Sequence, residues 1–298
     1  MNVGGRKIRI SGKMVRIARL DADKYRFLDA PEAFVEELKK SGLRADLFTF
    51  MQRLPHTTAE HKFPMEWDNF AAIPLTTFDQ WWTKQIGFKA RNKAKQAEKK
   101  GVVLREVAFN DELVRGIWEI YNECPIRQGR RFPHYGKSLQ AVHDEEATYL
   151  DSSVFLGAYS GDKLIGFSKL VMDETHVQAG LMNIVSLIRE RDKAPTNALV
   201  AQAVRSCTER GVQYLVYSNF AYGKKQSDSL SDFKERNAFQ RIDVPRYYVP
   251  LTAFGALAFR MRLHHRLVDR FPESFASKLR AYRTAWYNRK FQMTAEAS

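Results

Sequence analysis

Residues 154–172 read VFLGAYSGDKLIGFSKLVM. Two apolar runs rich in Val, Ile, Leu and Phe flank SGDK, a short polar segment with glycine in a turn position. Such a pattern predicts an antiparallel hairpin turning at Ser160–Asp162. HVQAGLMNIVSLI, residues 176–188, predicts a third strand. RERDKAPTN then breaks the pattern, and Pro195 opens a helix ending at Gly211, with proline first and glycine last as helix ends prefer. VQYLVYSNF (212–220) predicts a fourth strand, Ser227 to Asn237 a short helix, and RIDVPRYYVPL (241–251) a last strand.

The same reading extends upstream. Val102 to Val107 predicts a strand. Asp111 opens a helix with Leu113, Val114, Ile117, Ile120 and Tyr121 on one apolar face, and Pro125 breaks it. A second helix is expected over Ser138 to Tyr149. Thr77 to Lys100 predicts one long helix closed by Gly101. Before it come a strand–turn–strand over 8–20, a helix over Ala30–Ser41, a strand over Leu47–Leu54, a loop over His56–Asn69 and a short strand over Ala71–Leu75. From residue 102 the order is β, α, α, β, β, β, α, β, α, β. That order is α/β with a mixed sheet flanked by helices. The sheet is antiparallel at the hairpin, with a helical crossover from the third hairpin-side strand to the next.

A chain of 298 residues with 44% hydrophobic and 12% aromatic content has the material for a core and is not a disordered protein. MNVGGRKIRI lacks the apolar stretch of a signal peptide, and the apolar run Leu251–Phe259 is too short to span a bilayer. Cys124 and Cys207 are far apart and form no metal pattern, so no metal is expected, and a reducing cytoplasm is. The net charge is +14, and it is clustered. Lys84–Arg105 holds eight Lys/Arg and one acid, Glu98, and Leu251–Ser298 holds nine Lys/Arg and three acids. Such clusters imply an anionic partner (nucleic acid, nucleotide cofactor, anionic lipid or charged glycan) or simply two solvated basic helices.

The segments RNKAKQAEKKGVVLREV (91–107), FLGAYSGDKLIGFSKLV (155–171), APTNALVAQAVRSCTERGVQYLVY (194–217) and LSDFKERNAFQRIDVPRYYVPL (230–251) carry a resemblance. Their order resembles the GNAT acyltransferases, and more closely the Fem-type and related GNAT-like N-acyltransferases of cell-envelope and exopolysaccharide pathways. Fem-type enzymes carry two tandem GNAT-like units. Residues 1–80 are short for a full unit, so the expected division is a reduced N-terminal subdomain (1–80), a GNAT-like domain (81–251) and a basic helical tail (252–298). The resemblance implies direct transfer of an acyl or aminoacyl group from acyl-CoA or aminoacyl-tRNA to an amine. CoA-using members have a glycine-rich loop before the crossover helix. Here RERDKAPTNA has no glycine, although the helix start at Pro195–Ala198 still offers amides, and Arg189, Arg191 and Lys193 offer charge. Fem-type enzymes also lack that loop and use aminoacyl-tRNA, which suits the basic surface.

Candidate site residues follow from the same alignment of elements. YNECPIRQGRRFPHYGK (121–137) falls on the acceptor side of the cleft in the families it resembles. There Arg127 and Arg131 can fork onto an anionic acceptor, and His134 or Tyr135 can move a proton. Lys169 interrupts an apolar strand. Simple alternation aims it at solvent, and the other reading turns it into the cleft to meet substrate. Asn183 and Ser186 pose the same choice: solvent by alternation, or the acyl donor where the strand would splay. Asn197 either caps the helix at Pro195 or meets the donor. Tyr217 ends a strand, where open α/β sheets place ligands, and Lys234 matches a lysine of the Fem-type pattern that could meet a donor phosphate. No residue set resembles a nucleophilic triad. The resemblance therefore implies an acyltransferase, expected in the cytoplasm, with a peripheral place on the inner membrane face left open. The alternative is a catalytically inactive GNAT-shaped module that binds RNA or anionic membrane. Residues 254–290 pattern as basic amphipathic helices in support of a membrane-facing tail.

Overall fold

The computed structural model describes residues 1–21, 23–220, 229–265, 278, 281–283, 285–287 and 289. An 11-stranded mixed sheet forms the spine, in the order β1-β2-β3-β4-β13-β5-β12-β11-β10-β9-β6. Its strands are β1 Asn2–Val3, β2 Arg6–Ser11, β3 Ile17–Leu20, β4 Leu47–Met51, β5 Met65–Pro74, β6 Val102–Val107, β9 Ser153–Ser160, β10 Lys163–Met172, β11 Gln178–Ser186, β12 Tyr214–Val216 and β13 Gln240–Pro250. A separate ribbon pairs β7 Ile126–Arg127 with β8 Arg130–Arg131. The helices are α1 Pro31–Lys40, α2 Phe78–Gln80, α3 Phe88–Lys99, α4 Asp111–Asn122, α5 Leu139–Glu146, α6 Pro195–Glu209, α7 Ser229–Arg236 and α8 Ala253–Arg260.

The hairpin forms as its alternation predicts. Ser160 pairs with Lys163 across a two-residue loop, and Gly161 sits at φ +60, a conformation that suits glycine in the first loop position. Along β10, Phe167 meets Tyr121 of α4, with ring centroids 5.7 Å apart, while a Cβ at the neighbouring Gly166 would meet Leu199 of α6. Successive strand residues face opposite ways, so α4 and α6 cover opposite faces. All five apolar positions read onto α4 are buried. At the other end of the sheet, Phe34, Val35 and Leu38 of α1 pack on Phe48 and Phe50 of β4.

Three expectations are corrected. The long helix over Thr77–Lys100 is interrupted. After a wide turn over Trp81–Gln85 the chain extends at Ile86–Gly87 and then starts α3. The interruption lets Gly87 N donate to Arg236 O at 2.9 Å, an approach so close that a Cβ on Gly87 would lie 3.0 Å from that oxygen. The loop over His56–Asn69 and the short strand after it become the ten-residue β5 and a shorter loop. The polar stretch MEWDNF enters the sheet because β13 pairs along its whole length, from Gln240↔Ala72 to Tyr247↔Met65. Finally, β12 stops at Val216, and Ser218 adopts φ +53, turning the chain out of the strand. Residues 266–277 of the expected tail helices lie outside the described residues.

Candidate active site

β11 and β12 run parallel but pair only at Gln178↔Tyr214, Ala179↔Leu215 and Gly180↔Val216. Beyond Gly180 they part. β11 follows β10 as far as Ser186↔Gly166. The chain after β12 follows β5 instead, with Tyr217 N donating to Ala71 O and Ala71 N donating to Ser218 O. Two local features open this fork. Met182 is an extra residue in β11, since Lys169 pairs with Asn183 and Leu170 with Leu181, and such a bulge bends its strand. Ser218 then turns the other arm. Among the described residues no strand pairs with Leu181–Ser186 on the side facing β12. That leaves an unpaired peptide edge where open α/β sheets bind ligands, at the carboxyl ends of diverging strands.

One arm of the fork rests on a buried polar network. Asn183 Nδ2 donates to Glu146 Oε1 at 2.8 Å, and the hydroxyl of Tyr121 donates to the same oxygen at 2.8 Å. Burial raises the Glu146 carboxyl above its ordinary range, opposed by those two bonds and by Lys169. Its second oxygen, Oε2, is buried with no hydrogen-bond partner among the described residues. Burial and the Glu146 charge push the Tyr121 hydroxyl well up. Lys169 is fully buried, which overturns the alternation reading that sent it to solvent. Its Nζ donates to the carbonyls of Glu146 at 2.7 Å and Thr148 at 2.6 Å, and it lies over the Phe155 ring. A cation at the carbonyl end of α5 is where the helix dipole favours it. Burial lowers the Lys169 pKa to about 8.

The acceptor-side candidates sit beside this network. His134 stacks on the Tyr121 ring at 4.3 Å, and its Nδ1 lies 3.2 Å from Glu145 Oε2 and 3.1 Å from Lys137 Nζ. Burial lowers its pKa, against the pull of Glu145. Tyr135 is exposed. Arg127 is held by the protein: it donates to Ser186 O at 2.7 Å, Ile120 O at 2.8 Å and Glu123 Oε2 at 3.2 Å, tying β11 to α4. Arg131 is exposed on β8. The turn between them has positive φ at Gln128 and Gly129, the conformation that two-residue ribbons favour.

The other arm carries a second polar cluster. Lys234 is fully buried, donates to Asn219 O and lies 4.7 Å from the Tyr217 ring centroid. Lys24 reaches in from the N-terminal region to Ser218 Oγ at 2.7 Å and to Asn219 Oδ1. Asp68 of β5 accepts from Asn219, and Asn69 from the backbone of Phe220 at 2.8 Å. Tyr25 plugs the crotch: a Cβ on Gly180 would lie 2.0 Å from its ring. Sequence reasoning missed Lys24, Asp68 and Asn69, since no local pattern links a loop lysine to a strand end so distant in the chain.

The loop before α6 is closed from within. Glu123 accepts from the backbone of Ile188 at 2.6 Å and Arg189 at 3.1 Å. Asn197 does not cap α6, which corrects that expectation. The N-cap is Ala194, in the left-handed region, and the Asn197 amide points 3.5 Å from Asn237 Oδ1. Ser186 Oγ bonds Thr196 Oγ1 at 2.9 Å, joining the tip of β11 to the start of α6. The structure therefore brings Asn183 and Ser186 onto one arm and Tyr217 and Lys234 onto the other.

No protein-family model and no curated protein sequence matches the chain. Solved structures do. A C-terminal domain assigned to a lysylphosphatidylglycerol synthetase from Agrobacterium fabrum aligns with TM-score 0.54 and 16% identity, covering 85% of this chain and 83% of that one. L-PGS from Bacillus licheniformis aligns at TM-score 0.52 and 14% identity, covering 85% and 84%. FemX aligns at TM-score 0.53 and 9% identity, covering 80% and 83%. The fold is GNAT-like, of the Fem type. At these identities the likeness establishes the architecture, and the chemistry has to be argued from the fork itself. No helix among the described residues is long and apolar enough to cross a membrane.

Proposed function

We propose that the protein is an N-acyltransferase of cell-envelope or polysaccharide metabolism, moving an acyl or aminoacyl group from an activated donor to an amine. The observation that carries this reading is the fork: an unpaired β11 edge at Leu181–Ser186 facing Tyr217 across a gap in the sheet. An extended donor arm can pair with such an edge as an added strand does. The amine then attacks the donor carbonyl, a C–N bond forms, and the thiol or ribose hydroxyl leaves with a proton. The backbone N–H of Met182, the extra residue of the bulge, is our candidate donor to the oxyanion.

His134 is our first choice to take the ammonium proton, because burial keeps it neutral near pH 7. Tyr135 is the second. Arg131 meets the anionic acceptor, while Arg127 positions β11. Lys169 acts through α5 and does not touch substrate. Asn183, Ser186 and Asn197 belong to the donor side from one arm of the fork, and Lys234 joins them from the other arm, beside Tyr217. We retain the division into 1–80, 81–251 and 252–298 as a proposal.

Between the two donors, the closed loop supports aminoacyl-tRNA. A CoA diphosphate at this loop would face the Glu123 carboxylate, which already takes the Ile188 and Arg189 amides. One structural neighbour is a domain of a lysylphosphatidylglycerol synthetase, which by that name joins an amino acid to a lipid and so agrees with an aminoacyl transfer. A membrane-side location has separate support. α8 docks through Gly255 and Ala258 and exposes Phe254, Leu257 and Met261 on one face, beside Arg260 and Arg262.

A thermal-shift screen with aminoacyl-tRNA, deacylated tRNA and acyl-CoAs at low and high salt tests the proposal. Greater stabilisation by the acylated tRNA than by the deacylated one supports transfer. Equal, salt-sensitive stabilisation by any RNA supports the inactive binding module instead.

A further inference from the structure

β5 and the turn after α8 bring together three side chains that the fork does not use: Glu66, His264 and His265. Glu66 Oε1 lies 3.4 Å from His264 Nε2 and 3.0 Å from His265 Nε2. The three atoms all lie within 4.8 Å of one another. A tetrahedral zinc ion with bonds of about 2.0–2.1 Å sets its ligands about 3.3–3.4 Å apart. The Glu66–His264 separation therefore matches an edge of such a site, and the Glu66–His265 contact of 3.0 Å is shorter than one.

His264 supplies the second observation. Its side chain is 1% exposed, and its ring lies against Tyr248 at 4.7 Å and Phe259 at 5.0 Å. Neither of its ring nitrogens makes a well-aligned hydrogen bond among the described residues, although the Glu66 carboxylate and the Ala258 backbone are near. Buried polar groups are ordinarily satisfied. Nε2 is within ion-pair range of Glu66 yet is not aligned on that oxygen, so a plain histidine–carboxylate bond leaves it wanting.

We propose that Glu66, His264 and His265 bind a divalent transition-metal ion, zinc by preference. Two imidazoles and a carboxylate suit zinc and cobalt, whereas magnesium and calcium prefer oxygen alone. Glu66 at 28% and His265 at 37% side-chain exposure leave an entry path and a fourth position for water. Bound there, the ion clips the chain leaving α8 to β5, and so fixes where the basic tail departs from the sheet.

The test uses the full-length, tag-free chain, stripped with a chelator and titrated with zinc, cobalt and magnesium. The expected result is one zinc per chain and a cobalt complex with the strong visible absorption of a tetrahedral site. Magnesium should not bind. Glu66→Gln and His265→Gln should each weaken zinc by roughly tenfold or more, at least what losing an outer-shell partner of a metal ligand does. Both side chains are part-exposed, so the metal-free variants should melt as the metal-free parent does. Zinc should raise the melting temperature of the parent and not of the variants. Absence of equimolar zinc binding, or zinc affinity unchanged in both variants, overturns the site and leaves an ordinary histidine–carboxylate cluster.

Discussion

Asn183 on β11 and Glu146 at the end of α5 share a 2.8 Å hydrogen bond, and through it the open arm of the fork is anchored to the helix layer beneath it. The bond matters because Glu146 is buried, has raised proton affinity and has few other partners. Asn183→Ala removes one of two donors to Oε1. The expected loss is about 1 kcal/mol, the net worth of one hydrogen bond, because Tyr121 still donates to that oxygen. Chemical denaturation measures it. Asn183→Asp should be worse, since it sets a second carboxylate beside the first.

Lys169 gives a pH signature. Its pKa falls from 10.5 to about 8 on folding, so between those values the unfolded chain holds more protons than the folded one. Stability carried by this group should therefore rise with pH across that window, by at most about 1.4 kcal/mol per pH unit. Lys169→Met should remove that rise. Parallel denaturation curves for parent and variant between the two pKa values would contradict the assignment.

Gly255 lies so close to the Asp46 carbonyl that an added Cβ would come within 1.8 Å of it. Gly255→Ala should push α8 off the sheet and destabilise the protein by about 1–3 kcal/mol. Hydrogen exchange over Ala253–Arg260 should speed up while exchange in β10 stays slow.

The exposed face of α8 should hold the protein on anionic vesicles at low salt and release it at high salt, with each nearby basic residue contributing about 1 kcal/mol. Phe254→Ser with Leu257→Ser should abolish co-sedimentation without changing the melting temperature. Binding that is indifferent to both the pair and the salt would remove the membrane proposal.

α3 buries Ala90, Ala94 and Ala97 and turns Lys89, Lys95 and Lys99 to solvent. Changing those three lysines to glutamine should weaken tRNA binding and flatten its salt dependence by about one slope unit per lost phosphate contact. Unchanged affinity would return α3 to a merely solvated basic face.

The hairpin and α4 were legible because their periods of two and 3.6 are set by burial alone, and all five positions read as the apolar face of α4 are buried. The broken helix before α3 was not legible, because its cause is a carbonyl of Arg236, far along the chain from Gly87. β5 was hidden by its polar residues, which make sense only beside their partners: Asp68 takes Arg246 and Asn219, and Asn69 takes Phe220. Lys169 misled in the same way. Alternation tells which face a residue takes, and here that face is covered by α5, whose end carbonyls receive the ammonium. The Glu66–His264–His265 cluster joins positions 199 residues apart for its outer pair, beyond any spacing motif.

The most direct measurement is hydrogen exchange on the full chain with a non-hydrolysable aminoacyl-tRNA analogue, compared with deacylated tRNA. If the fork takes the activated donor, amides of Leu181–Ser186 and of Tyr217–Phe220 should become protected with the acylated analogue and much less with the deacylated tRNA. Protection confined to α3, equal for both RNAs and leaving the fork unchanged, would contradict the account.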